Sequence, residues 1–256
     1  MIKFTERMDR SQYFGTTEAG EISFDLSVFD RLYNGNIIIT KRITDKLSEK
    51  LIEHKDKIIL HCTCTGYGGT VVEPFVPDYE TTYRKLSELI MNGFPVSHIV
   101  LRVDPVIPTE KGIKLAIKVI EKFLPLGITR VRWSCLDMYD HVKKRFIDKG
   151  LKLPYDTFNA DKKTINDVHN LLMSVCETFN ATLETCGEYG YESTPCLSQK
   201  DVDILGLTNI ITLEGKKGQR GSCCCPKNKK ELITGKKPSQ CKNSCLYCYW
   251  KGESEC

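Results

Sequence analysis

Three cysteines near the end of the chain carry the strongest chemical signal. Cys241, Cys245 and Cys248 stand in the spacing C-x3-C-x2-C, in the segment Cys-Lys-Asn-Ser-Cys-Leu-Tyr-Cys-Tyr-Trp. Three thiolates on one short loop can ligate three irons of a cubane and leave the fourth iron open to an outside ligand. A structural zinc ribbon uses paired C-x2-C knuckles that give four ligands, and a ferredoxin supplies four cysteines to its cluster. The spacing therefore predicts an iron–sulfur centre with one open position.

The other cysteines surround this signal. The chain has 256 residues and 13 cysteines. Seven of these (Cys223, Cys224, Cys225, Cys241, Cys245, Cys248 and Cys256) lie beyond residue 220. A chain of this length buries enough apolar surface to fold without cross-links. The odd count and the charged N-terminus, without an apolar signal segment, point to a reducing, cytoplasmic setting. There, clustered thiols bind metal or react. No apolar run approaches the ~18 residues of a membrane span. Charge is uneven as well. Residues 216–251 hold ten Lys or Arg against one acid, Glu231, while the whole chain carries only +4. The mild total conceals a basic, cysteine-rich tail on an acidic body. Such a tail is a solvated loop, a polyanion contact, or a source of cations for an anionic cluster.

The elements that must position these residues read as alternating strands and helices. Strand-like runs are 36–40, 57–64, 98–104, 128–135, 181–186 and 208–213, several of them continuously apolar as buried parallel strands are. Helices are expected after the caps Thr44, Asp78, Thr109 and Asp161, with a short amphipathic stretch over 138–148. Repeated strand–helix units imply a parallel α/β sheet. Polar residues collect at strand C-termini: Lys41, Thr65, Arg102, Asp104, Tyr139 and Glu188 among them. That pattern favours a partial (β/α)6 TIM-like barrel over a doubly wound sheet, with the site at the C-terminal face. The expected division is a barrel over residues 1–213 and a cluster-binding tail over 214–256, which has no apolar period of its own. Arg102 and Asp104 share a strand face. They read either as site residues or as an ion pair closing the barrel mouth.

C-x3-C-x-aromatic-C resembles the cluster signature of the radical S-adenosylmethionine superfamily, and the Tyr-Cys-Tyr ending is most similar to spore photoproduct lyase and its relatives. Most members carry the motif after the first barrel strand. The C-terminal placement resembles an uncharacterised bacterial family with a radical-SAM-like cysteine cluster at its C-terminus. That likeness runs through Thr40-Lys41, Thr63 to Gly68 with Glu73-Pro74, Arg102 to Pro105, Asp137 to Tyr139, Thr185 to Glu188, and Gln219-Arg220 before Cys223 and Cys225. It implies a barrel permuted relative to the superfamily. It implies a [4Fe–4S] cluster on Cys241, Cys245 and Cys248 that binds S-adenosylmethionine and cleaves it to a 5′-deoxyadenosyl radical. Tyr247 would lie by the adenine, and Lys41, Thr65 and Glu73 would serve the cofactor. Gly68-Gly69 with Glu73 is a loose substitute for the Gly-Gly-Glu segment that holds the cofactor's amino group, or simply a glycine-rich turn. Arg102, Asp104, Tyr139 and Glu188 would line the catalytic site. The resemblance also singles out Cys186, Cys196, Cys223 and Cys225, which would hold a second iron–sulfur cluster or a zinc ion.

Two other functions suit parts of the chain. A zinc-tailed nucleic-acid-binding module would use the basic segment 216–251 with Tyr247, Tyr249 and Trp250 as stacking faces. An electron carrier would ligate every iron with protein. The radical enzyme needs an external electron donor and acts on a substrate the sequence does not name, nucleic acid being one option. Cys62, Cys64 and Cys176 read as small core residues, and the histidines show no metal spacing.

Overall fold

The computed structural model describes residues 9–218, 222–233 and 241–250. Seven parallel strands make one sheet in the spatial order β6-β5-β4-β3-β2-β1-β7. The strands are β1 (Phe14–Thr16), β2 (Gly35–Thr40), β3 (Ile58–Thr63), β4 (Ile99–Val106), β5 (Arg130–Cys135), β6 (Thr182–Thr185) and β7 (Lys229–Glu231). The sheet is open: β6 and β7 are its edges. Five of the expected strands stand where the apolar runs put them. The run 208–213 does not form a strand. Its backbone bonds instead to the side chain of Gln12, through Ile210 O and Thr212 N, while Ile211 packs beneath the sheet. Two short strands escaped the apolar pattern, β1 and β7. The tail segment expected to lie on the barrel thus supplies an edge strand to the sheet itself.

Helices form where caps and apolar spacing agree. They are α1 (Asp45–Glu53), α2 (Tyr79–Met91), α3 (Glu110–Phe123), α4 (Asp140–Asp148), α5 (Lys162–Thr178) and α6 (Gln199–Ile204). Thr44, Asp78, Thr109 and Asp161 each accept a hydrogen bond from a backbone N–H in the first turn, as their sequence positions require. Helices α1, α2, α3 and α5 pack on one sheet face, where Leu47, Leu86, Ile120 and Leu172 meet Ile38, Leu60, Leu101 and Trp133. Burying each such side chain is worth about 1.5–3 kcal/mol. Cys62, Cys64, Cys135 and Cys176 belong to this core. Burial pushes the Cys64 and Cys176 thiols up to about 12, so neither is a nucleophile at neutral pH.

The opposite face differs along its length. Phe14, Ile37, Ile59 and Val100 pack there under Leu197, Val202 and Leu207. Further along the strands, toward their C-terminal ends, the same face turns polar. Thr63, Arg102, Arg132 and Glu184 stand side by side across four strands in direct register. Arg130 donates to Glu184 and to Asp201 of α6, both at 2.7 Å, and Arg132 donates to Glu184 at 2.5 Å. These four groups are almost fully buried.

At the start of α3, a Cβ on Gly112 would lie 2.0 Å from Ile107 O and 2.7 Å from Tyr67 Oη. Alanine normally strengthens a helix by about 1 kcal/mol over glycine. Here the overlap reverses the sign. Gly112→Ala is expected to destabilise the fold by about 1–3 kcal/mol, read from the urea midpoint at unchanged slope. A variant as stable as the parent would show that the Ile107 backbone and the Tyr67 side chain give way against α3 at little cost.

Candidate functional site

The C-terminal strand ends open on a cavity of about 240 Å³. Both cysteine groups border it: Cys241, Cys245 and Cys248 from the loop, and Cys186, Cys196 and Cys223 from the other set. None of the described cysteines forms a disulfide.

Hydrogen bonds to three different elements help dock the 241–250 loop. Leu246 N donates to Val72 O at 3.0 Å. Arg145 of α4 donates to Cys248 O at 2.8 Å. Asn243 Nδ2 reaches Glu21 at 3.4 Å. Cys245, Leu246 and Tyr247 join Tyr67, Val72, Ile107, Met138, Val142 and Phe146 in a second apolar cluster. Ser244 turns the loop in the left-handed region, φ 48°. The segment that could not build a core thus borrows one from the loops after β3 and β5. Burial raises the Cys245 thiol well above its ordinary value, opposed by nearby Lys41. A bound metal reverses that by taking the thiolate form.

The four residues expected to serve the cofactor do meet. Lys41 Nζ lies 2.9 Å from Glu73 Oε1 and 2.8 Å from Tyr247 Oη. Thr65 Oγ1 donates to Glu73 Oε2 at 2.8 Å, and Tyr247 Oη also donates to Glu73. Burial works against the Lys41 charge, but Glu73, Cys245 and Asp104 together outweigh it and the ammonium is held. Lys41 and Tyr247 border the cavity; Thr65 and Glu73 sit behind them, Glu73 being 1% exposed. Glu73 is thus the buried counter-ion of Lys41.

Of the expected catalytic residues, Arg102, Asp104 and Tyr139 border the cavity. Arg102 pairs with Asp104, and Ser134 Oγ donates to Asp104 at 2.5 Å. Tyr139 stacks on Tyr249, which lies against Trp250, so aromatic rings rim the opening. Glu188 is outside the cavity wall; it accepts a 2.7 Å bond from Cys135 N and fixes the end of β5.

The second cysteine group also meets. Cys196 N–H donates to Cys225 Sγ at 3.3 Å. The thiols of Cys186, Cys196, Cys225 and Cys223 bond in series. The bond from Cys225 is the main cause that lowers the Cys223 thiol to about 6. Cys224 turns away and donates to Ser193 O at 2.8 Å. Among the described residues, no group of three or more His, Cys, Asp or Glu side chains is arranged to hold a metal ion.

Sequence reasoning missed Glu21, Asn243, Arg132 and Lys229. Glu21 accepts from Thr40 Oγ1, Lys41 N and Ser23 N as well as Asn243. Asn243, 2% exposed, keeps Oδ1 without a partner. Lys229 is buried against Glu18 at 2.5 Å. It therefore lies inside the protein rather than on a polyanion-binding surface. Of the basic segment, Arg220, Lys236, Lys237 and Lys251 lie outside the described residues, as do Gln219 and Cys256. Among the described residues, no helix is long and apolar enough to cross a membrane.

Fold and site together define a parallel α/β protein with two thiol groups facing one cavity at the C-terminal ends of its strands. A family model described as a domain of unknown function, DUF1848, matches residues 33–250, and the chain belongs to that family. No significant match to a curated protein or to a solved structure was found.

Proposed function

We propose that the protein is a radical S-adenosylmethionine enzyme. The reading is carried by the Cys241-Cys245-Cys248 loop, whose three thiols border the strand-end cavity beside Tyr247 and Lys41. The donor set suits the group: three soft thiolates from one loop, with no fourth ligand in it, leave one iron open. Cys241, Cys245 and Cys248 would hold a [4Fe–4S] cluster, which would supply the electron for reductive cleavage of S-adenosylmethionine.

The topology supports a partial barrel permuted in sequence. Strands β7, β1, β2, β3, β4, β5 and β6 follow one another in space, with α1, α2, α3 and α5 on one face. Strand β7 lies at the edge and leads into the cysteine loop, as the first strand does in the superfamily.

The chain's own residues bind, orient and shield. Ala19-Gly20-Glu21, at the end of β1, borders the cavity where Glu73 does not. Glu21 supplies negative charge and Asn243 Oδ1 an open acceptor, together suited to the cofactor's amino group. A buried acceptor left without a donor costs about 1–3 kcal/mol, which a bound ammonium would relieve. Lys41, held charged by Glu73, stands ready for a carboxylate. Arg102 and Asp104, fixed by Ser134, face the space left for substrate, and the Tyr139, Tyr249 and Trp250 rings limit water entry. Glu188 is a positioning residue that holds the β5 end.

Anaerobic reconstitution followed by reduction with dithionite and addition of S-adenosylmethionine tests the reading. The expected result is release of 5′-deoxyadenosine, lost in Cys245→Ala. A reduced cluster whose EPR spectrum ignores S-adenosylmethionine would point instead to an electron carrier and overturn the proposal.

A further inference from the structure

Glu231 is the single acid among the ten Lys or Arg of residues 216–251. Its carboxylate is spent on backbone amides. It ends β7, in register with Thr16 of β1. Oε2 accepts from Glu18 N at 2.9 Å and from Ala19 N at 3.2 Å, while Oε1 accepts from Ile233 N at 2.9 Å. Two residues earlier, on the same side of the strand, Lys229 Nζ donates to the Glu18 carboxylate at 2.5 Å. Leu232 N donates to Thr16 O at 2.8 Å and continues the ladder. One short strand of the tail thus grips the loop after β1 through both its backbone and its side chain.

That loop is the one that matters to the cavity: Thr17, Glu18, Ala19, Gly20 and Glu21 all border it. Glu231 itself stands outside the cavity wall. The Glu18 and Ala19 amides lie three and two residues before Glu21. Bonds from amides to an ionised carboxylate are stronger than those to a neutral acceptor, and one carboxylate has lone pairs enough for all three donors. Beyond Gly20, Glu21 is held from the other side by Ser23 N, Lys41 N and Asn243 Nδ2. The direction of the Glu21 side chain is therefore fixed from both ends of the loop, and Glu231 supplies one of those ends. We infer that Glu231 is a positioning residue for the S-adenosylmethionine site: it sets the loop that carries Glu21, so the site is complete only when β7 is docked on β1. The consequence for the cofactor rests on the function proposed above; the grip on the loop does not.

Two measurements separate the grip from its consequence. In the metal-free protein, amide hydrogen exchange followed by mass spectrometry should be faster at Glu18 and Ala19 in Glu231→Ala, and intermediate in Glu231→Gln, which keeps one acceptor oxygen at the same length. Far-ultraviolet circular dichroism confirms that each variant is folded. In the reconstituted and reduced protein, Glu231→Ala should raise the S-adenosylmethionine concentration that half-converts the EPR signal by about tenfold, with iron content and the fully converted spectrum unchanged. Adding Glu231→Ala to Glu21→Gln should then cost little more, because both act through the same carboxylate. Exchange equal to the parent's at Glu18 and Ala19 would overturn the inference. So would an unchanged half-conversion concentration, or losses that add fully in the double variant. A parent protein that ignores S-adenosylmethionine would remove the proposed function instead, and the exchange rates would still decide whether Glu231 holds the loop.

Discussion

Glu184→Ala should cost about 3–5 kcal/mol of stability, among the largest losses available to a single substitution in this chain. Glu184 accepts from Arg130 and Arg132 at once. Both arginines are essentially unexposed, and Arg132 already carries two donor nitrogens without partners. Asp201 still pairs with Arg130 after the substitution; Arg132 has no second carboxylate among its bonded partners. Removing one member of a buried network leaves an uncompensated charge, which costs more than the pair itself is worth. Urea unfolding reads this directly, and a loss below about 1 kcal/mol would mean that water reaches Arg132.

On the function proposed above, Glu21→Gln should leave the cluster of the 241–248 loop in place and weaken the response to S-adenosylmethionine by about tenfold to a hundredfold, the worth of one charge-assisted hydrogen bond. Glutamine keeps the length of the side chain and an acceptor for the neighbouring hydroxyl and backbone groups, and removes the charge beside Asn243. The measurement is the S-adenosylmethionine concentration that half-converts the reduced cluster's EPR signal, with iron content as the control. Glu73→Gln is the contrasting variant. It removes the buried counter-ion of Lys41, so it should lower stability more than affinity. Equal affinity losses in both variants would assign the cofactor's amino group to neither carboxylate alone. An affinity loss in Glu73→Gln only would return that role to the turn after β3.

Much of the scaffold was legible because its signals are local. Four helix caps and five strands follow from hydroxyl and carboxylate side chains ahead of apolar periods, and from runs such as Ile37-Ile38-Ile39. The cysteine loop was legible from spacing alone. The missed strands, β1 and β7, are three residues each, and Lys229-Lys230-Glu231 has no strand pattern at all. They form because Asn228 ties the tail to Gln12 and Thr212, and because β1 offers a free edge. Glu21 was invisible for the same reason. Its importance depends on Asn243, more than 200 residues away, and no periodicity connects them. Glu73 and Glu188 were singled out from the right loops, but the direction in which a loop carboxylate turns is set by the groups packed against it. Lys41 drew one inward, and the backbone of Cys135 drew the other.

The pairing of Phe14 with Lys229 has a kinetic consequence. Strands β2 to β6 join neighbours in sequence, so each pairing closes a short loop. The β1–β7 pairing closes one that spans most of the chain, and the entropy of that closure must be met before its contacts return anything. The expected order of folding is therefore the central sheet first and the β7 edge last. Since β7 lies between the 223–225 thiols and the 241–248 loop, the two cysteine groups come together only on a sheet already in place. The thiol-rich end of the molecule is then the final part to close, and its cysteines stay open to oxidants the longest.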